Sequence, residues 1–197
     1  MGPGRSVVGR RIARRLVPWL AVLLLGVGAF ALVRRLGRAE LVAEQDLPAD
    51  VQVEVDLTWD RFTTVFDKHR NCYDDVSLLL VGDLEQGDAR YVIDEARIEI
   101  RIPTSPRRFR ESLAHELAHH LEHTCGRFTD LEDDFRALPG VDATAWSTAD
   151  RWQDTPAELW AETVVAIVNG ERVRHERSMP LPPGAIELVE NWADTGS

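Results

Sequence analysis

Cysteine is nearly absent: the 197-residue chain holds two, Cys72 and Cys125, so a single pair is all they can form. Glycine (13) and proline (10) stand near average usage and no internal repeat is visible, which excludes collagen-like and low-complexity chains. Residues 1–38 contain no acid, and eight of the 23 basic residues, all Arg, lie there. The rest of the chain is poor in positive charge, since the remaining 15 basic groups meet all 33 acidic ones. A body that acidic repels nucleic acid, and no nucleic-acid partner is expected. Hydrophobic residues make up 44% and charged residues 28%, which excludes wholesale disorder. The length fits one ordinary domain with a tail.

The basic head encloses an uncharged run that opens at Leu16 and closes at Val33 (LVPWLAVLLLGVGAFALV). As a helix it would extend about 27 Å, close to a hydrocarbon core of about 30 Å. Pro18 falls in the first turn, where its missing N–H costs little. Ala29 and Ala31 offer a signal-peptide cleavage spacing, but the run exceeds the usual apolar core and Arg34 and Arg35 follow at once. The expectation is an uncleaved transmembrane anchor. Five Arg precede the run and three follow, which places residues 1–15 in the cytoplasm and the body outside it, at the cell membrane. In such a compartment disulfides persist, so Cys72 and Cys125 are expected to be joined.

After a juxtamembrane linker at residues 34–50, residues 51–57 (VQVEVDL) alternate and predict a strand. Thr58 is placed to cap a helix that runs to about residue 70. Residues 76–81 (VSLLLV) predict a strand buried on both faces, and residues 96–102 (ARIEIRI) a further strand stopped by Pro103. Ser105 opens a long helix over 106–124. Residues 127–155 are acidic and aperiodic, a loop with room for one short helix. Thr155 and Pro156 begin a helix over 157–169, stopped by Gly170, and a last helix runs over 184–193. The fold class expected is α+β, a single N-terminal transmembrane helix followed by one small domain at residues 51–197.

The long helix contains His115-Glu116-Leu117-Ala118-His119, an H-E-x-x-H pattern. Residues four apart share a helix face, so both imidazoles can reach one Zn²⁺. Leu113, Ala114, Leu117, Ala118 and Leu121 fall on the other side and form a core stripe. Glu116 flanks the pair as a general base.

A catalytic zinc site takes three protein ligands and keeps one position open. His120 points away from His119 around the helix, and His123 lies two turns from His115. Cys125 stands where the metzincin pattern needs its third His, but Glu122 replaces the Gly that breaks that helix. Cys125 stays open as a thiolate ligand only if it is not in a disulfide. The helix after Thr155 offers Glu158 and Glu162, four apart on one face. One carboxylate can complete the ligand set while its neighbour accepts the outer N–H of a ligand histidine.

H-E-L-A-H followed about forty residues later by P-x-E-x-W-A-E resembles the zincin metallopeptidases of the gluzincin kind, and within them the group around the anthrax lethal factor catalytic domain. The resemblance covers two short motifs and the order of the elements that carry them. It implies a zincin-like fold, Glu158 as third zinc ligand and Glu162 as the carboxylate that orients a ligand histidine. It departs in one respect: that group carries a Tyr shortly before the glutamate helix as a hydrogen-bond donor, and here Arg151 and Trp152 stand there. Tyr73 and Tyr91 are the only tyrosines.

The function expected is a membrane-anchored zinc metallopeptidase hydrolysing peptide bonds of a peptide or protein substrate. Its ligands are His115, His119 and Glu158, and Glu116 is its base. The strand at 96–102, read as the sheet edge, would hold an extended substrate by strand addition. The alternative is a catalytically inactive zincin-fold binding or structural membrane protein.

Overall fold

The computed structural model describes residues 39–141, 145–148, 155–170 and 180–195. Backbone contacts divide the chain between Arg38 and Ala39, and all the described residues lie in the body after that boundary. Among the described residues it is an α+β fold of four strands and five α-helices. The strands are β1 (Leu41–Ala43), β2 (Val76–Val81), β3 (Ala89–Val92) and β4 (Arg97–Arg101). The helices are α1 (Ala49–Val65), α2 (Pro106–Thr124), α3 (Phe128–Arg136), α4 (Pro156–Asn169) and α5 (Ala185–Thr195).

The expected transmembrane helix is corrected. No helix among the described residues is long and apolar enough to cross a membrane, and the run from Leu16 to Val33 lies outside those residues. A single-pass location at the cell membrane, with the body outside the cytoplasm, is therefore not supported.

The sheet runs in the order β1-β2-β4-β3. β1 and β4 flank β2 in parallel, with Leu41 opposite Val76 and Leu78 opposite Ile98. β3 is antiparallel to β4, with Tyr91 opposite Ile98. This corrects the edge: the strand read at 96–102 is interior, and β3 is the outer strand. Val76, Leu78 and Leu80 are buried while Ser77, Leu79 and Val81 are half-buried, so β2 is not buried on both faces. On the sheet face opposite Ile98 and Ile100, Glu99 is 4% exposed. It is held there by Arg90 at 2.7 Å and Arg97 at 2.8 Å.

A further correction is at residues 51–57, which lie inside α1 rather than in a strand. Alternating Val51, Val53, Val55 and Leu57 fits a strand over seven residues, but the buried set Val55, Thr58 and Phe62 recurs at helical spacing. Val53 is left 61% exposed. Thr58 is accordingly a mid-helix residue whose hydroxyl donates to the Glu54 carbonyl at 2.7 Å, not a cap. The linker read at 34–50 also shrinks, since β1 and the start of α1 fall within it.

The two helices that matter most for the site begin as their sequences dictate. Ser105 accepts a hydrogen bond from the Arg108 N–H at 3.3 Å, ahead of Pro106 in the first turn of α2. Thr155 does the same for the Glu158 N–H at 3.3 Å, ahead of Pro156 in α4. Gly170, at φ 68°, ends α4 in the left-handed region that glycine enters without strain. α2 and α4 pack together through Leu113, Leu117, Leu121, Trp160, Ala161 and Val164, all fully buried. The Trp160 indole donates to the Ala118 carbonyl at 3.3 Å, which fixes the register of one helix on the other.

Candidate metal centre

The register between α2 and α4 brings His115, His119 and Glu158 to one point. Their Nε2 atoms lie 3.3 Å apart. Glu158 reaches His115 Nε2 with one oxygen at 3.0 Å and His119 Nε2 with the other at 3.5 Å. For zinc bonds of about 2.0–2.1 Å in a tetrahedron, ligand atoms should stand about 3.3 Å apart. The donor set and its spacing fit that ion.

Each imidazole is also held from behind. His115 Nδ1 faces Glu162 at 3.4 Å and His119 Nδ1 faces Glu122 at 3.1 Å. A carboxylate only accepts, so both Nδ1 atoms carry the proton and both Nε2 atoms turn toward Glu158. Against the metzincin pattern Glu122 reads only as the residue that replaces its Gly. Its position three residues after His119, on the same helix face, is the signal that points to this contact. Trp146 supports it, donating its indole N–H to the second Glu122 oxygen at 2.7 Å.

Electrostatics follow from burial set against pairing. Burial alone would lower the His115 imidazole, but hydrogen bonds to Glu158 and Glu162 outweigh it and raise it well above the usual value. Burial likewise opposes protonation of His119, yet Glu122 and Glu158 lift it to about 9. Burial would raise Glu158, but the two imidazoles bring it down to about 2. Burial does raise Glu116, with His115 and His119 pulling the other way. The Tyr91 backbone on β3 also acts to lower it. A shielded carboxylate with a raised pKa is suited to holding and passing a proton.

These groups line a cleft of about 470 Å³ between β3, α2 and the start of α4, with Ala89, Tyr91 and Ile93 along one wall. Tyr91 is not free to donate into it. His120 Nε2 faces the Asp74 carbonyl at 2.9 Å, so the proton sits on Nε2 and Nδ1 accepts from the Tyr91 hydroxyl at 3.0 Å. His120 is fully buried and serves this network rather than the cleft. His123 does line the cleft, stacked on Tyr91 with ring centroids 5.8 Å apart. Tyr73 is buried in the core, and Arg151 and Trp152 lie outside the described residues.

Cys72 and Cys125 are joined in a disulfide whose Cα atoms are 4.5 Å apart. The bond ties the end of α2 to the turn before β2, and it removes Cys125 from the ligands open to His115 and His119. No family model, curated protein or solved structure matches the chain.

Proposed function

We propose that this body is a zinc-dependent metallopeptidase. The observation that carries the reading is the convergence of two imidazole Nε2 atoms and the Glu158 carboxylate within 3.0–3.5 Å of one another. His115, His119 and Glu158 would hold the ion. Zinc held there would supply Lewis-acid chemistry, lowering the pKa of a bound water toward about 7 and polarising a scissile carbonyl. Glu116, next to the ligands and buried, takes a proton from water and returns it to the leaving amine. Glu162 and Glu122 keep the imidazoles turned inward. An extended substrate would lie along the outer strand β3, whose residues Ala89, Arg90 and Tyr91 line the cleft.

The test is zinc stoichiometry on the full chain together with turnover on a broad peptide library. The reading expects one zinc per chain at this site, cleavage in the wild type, and Glu116→Gln that keeps the zinc and loses turnover. Absence of zinc in protein purified without chelator, with no difference from His119→Ala, overturns it. A second reading is a metal-holding binding protein without turnover. It is favoured by the Tyr91 hydroxyl, whose proton is committed to His120. Zinc bound without cleavage of any library member would favour that reading.

A further inference from the structure

A second group of metal-ligating side chains lies away from the cleft. His69 is 1% exposed. Its Nε2 faces the Trp192 carbonyl at 2.8 Å, and a carbonyl only accepts, so the proton is on Nε2 and Nδ1 bears a lone pair. That Nδ1 is buried without a hydrogen-bond partner. Leaving such an atom unpaired is costly, and in a native fold it calls for an explanation. Flipping the ring, which stacks on Trp192 with centroids 3.7 Å apart, would give up the bond to the Trp192 carbonyl.

What lies nearby is sulfur. Residues Asp67–His69 form a 3₁₀ turn, and the Cys72 N–H continues it by donating to the His69 carbonyl at 2.8 Å. At three residues per turn the side chains of His69 and Cys72 line up. One ligand atom from His69 and the Sγ atoms of Cys72 and Cys125 all lie within 4.8 Å of one another.

We propose that reducing the Cys72–Cys125 bond converts this corner into a second zinc site, with both sulfurs and His69 Nδ1 as ligands. A dithiol supplies the two electrons. The S–S bond breaks, the dithiol closes to its own disulfide, and its two protons pass to the two Sγ atoms. Zinc then displaces those two protons to solvent and binds two thiolates and the neutral imidazole. Two thiolates and an imidazole suit zinc and reject magnesium or calcium. Zn–S bonds of about 2.3 Å need the sulfurs about 3.8 Å apart, within reach of side-chain rotation once the bond is open. The Nε2–H donated to the Trp192 carbonyl is the outer bond that a ligating imidazole requires. Cys72 is half-buried and gives the ion a way in. The link between the turn and the end of α2 would then survive in both redox states, made by a disulfide in one and an ion in the other.

The experiment is a cobalt(II) titration of the full chain before and after reduction by a dithiol, with the reductant removed and circular dichroism recorded. Reduced protein should take up one more equivalent than oxidised protein and gain a thiolate-to-cobalt charge-transfer band. His69→Ala should weaken that second equivalent by more than about tenfold. His69→Gln, which keeps a donor for the Trp192 carbonyl, should do the same. His119→Ala should remove the cleft equivalent and leave the thiolate band, so failure at one site is not mistaken for failure at the other. Reduced protein that shows no thiolate band, whether it stays folded or not, overturns the proposal. A band of unchanged affinity in either His69 variant does so too.

Discussion

Glu122 holds His119 and Trp146 at once, accepting from the imidazole Nδ1–H at 3.1 Å with one oxygen and from the indole N–H at 2.7 Å with the other. A carboxylate anchored from both sides cannot swing away, so His119 keeps its Nε2 on the side of Glu158. Glu122→Ala should therefore lower zinc affinity by about 10–100-fold without changing the stoichiometry. Trp146→Phe, which keeps the ring against Phe128 and Phe135 but removes the donor, should cost less. Competition against a chromophoric chelator measures both. Unchanged affinity in Glu122→Ala would show that His119 needs no such support.

Glu158 and Glu162 are one turn apart on α4, yet they meet different nitrogens. Glu158 faces both Nε2 atoms, and Glu162 faces Nδ1 of His115. Glu158→Ala should reduce zinc affinity well beyond the roughly 100-fold ceiling of an outer partner, and Glu162→Ala should stay within it. The opposite ranking would exchange their roles. Two negligible losses would return both carboxylates to a solvated helix face.

Local chemistry made α2 and α4 legible in the sequence. Ser105 with Pro106, Thr155 with Pro156, and Gly170 each act within a few residues of themselves, so no distant partner is needed to read them. Residues 51–57 misled because a seven-residue window of alternating valines satisfies a strand, while the helical stripe appears only when Phe62 is included. β1 was hidden for another reason: three residues at Leu41–Ala43 become a strand only by pairing with β2, more than thirty residues away. Strand order is equally non-local, and nothing within residues 96–102 marks β4 as interior. At the site, spacing points to His115 and His119 and to a pair of carboxylates on α4, and it is the resemblance that implies which of Glu158 and Glu162 is the ligand. The role of Glu122 shows only from its place three residues after His119 on the same helix face, not from a comparison with the metzincin motif.

Trp160 ties the site to the core. It is fully buried, its indole reaches the Ala118 carbonyl, and its rings lie 5.0 Å from Phe128 and 6.3 Å from Phe66. Trp160→Ala should destabilise the body by about 3–5 kcal/mol. For a domain of this size each kcal/mol lowers Tm by about 2–4 °C. Zinc affinity should fall as well, because Trp160 sits between Glu158 and Glu162 and sets how α4 lies on α2. Trp160→Phe should lose less of both. Calorimetry with and without zinc separates the two effects, and a Trp160→Ala protein of unaltered Tm would contradict the packing described above.

Glu99 gives the body a pH dependence that does not run through His115, His119 or Glu158. Burial would raise its carboxyl, but hydrogen bonds from Arg90 and Arg97 outweigh burial and hold it below the ordinary glutamate value. A carboxyl depressed in the folded state binds protons more weakly there than in the unfolded chain. Its contribution is thus fully present above the unfolded pKa of about 4.3, and is lost as pH falls through the folded value below it. Asp88, held down by Arg101 and Arg108 against its own burial, acts in the same direction. Glu99→Gln removes the charge that Arg90 and Arg97 share, so it should be less stable than the wild type at neutral pH. The difference in urea midpoint between the two proteins should be constant from about pH 8 to pH 5 and should shrink below about pH 4. A difference that stays fixed, or widens, on further acidification would mean that Glu99 is not the ionised partner of these arginines.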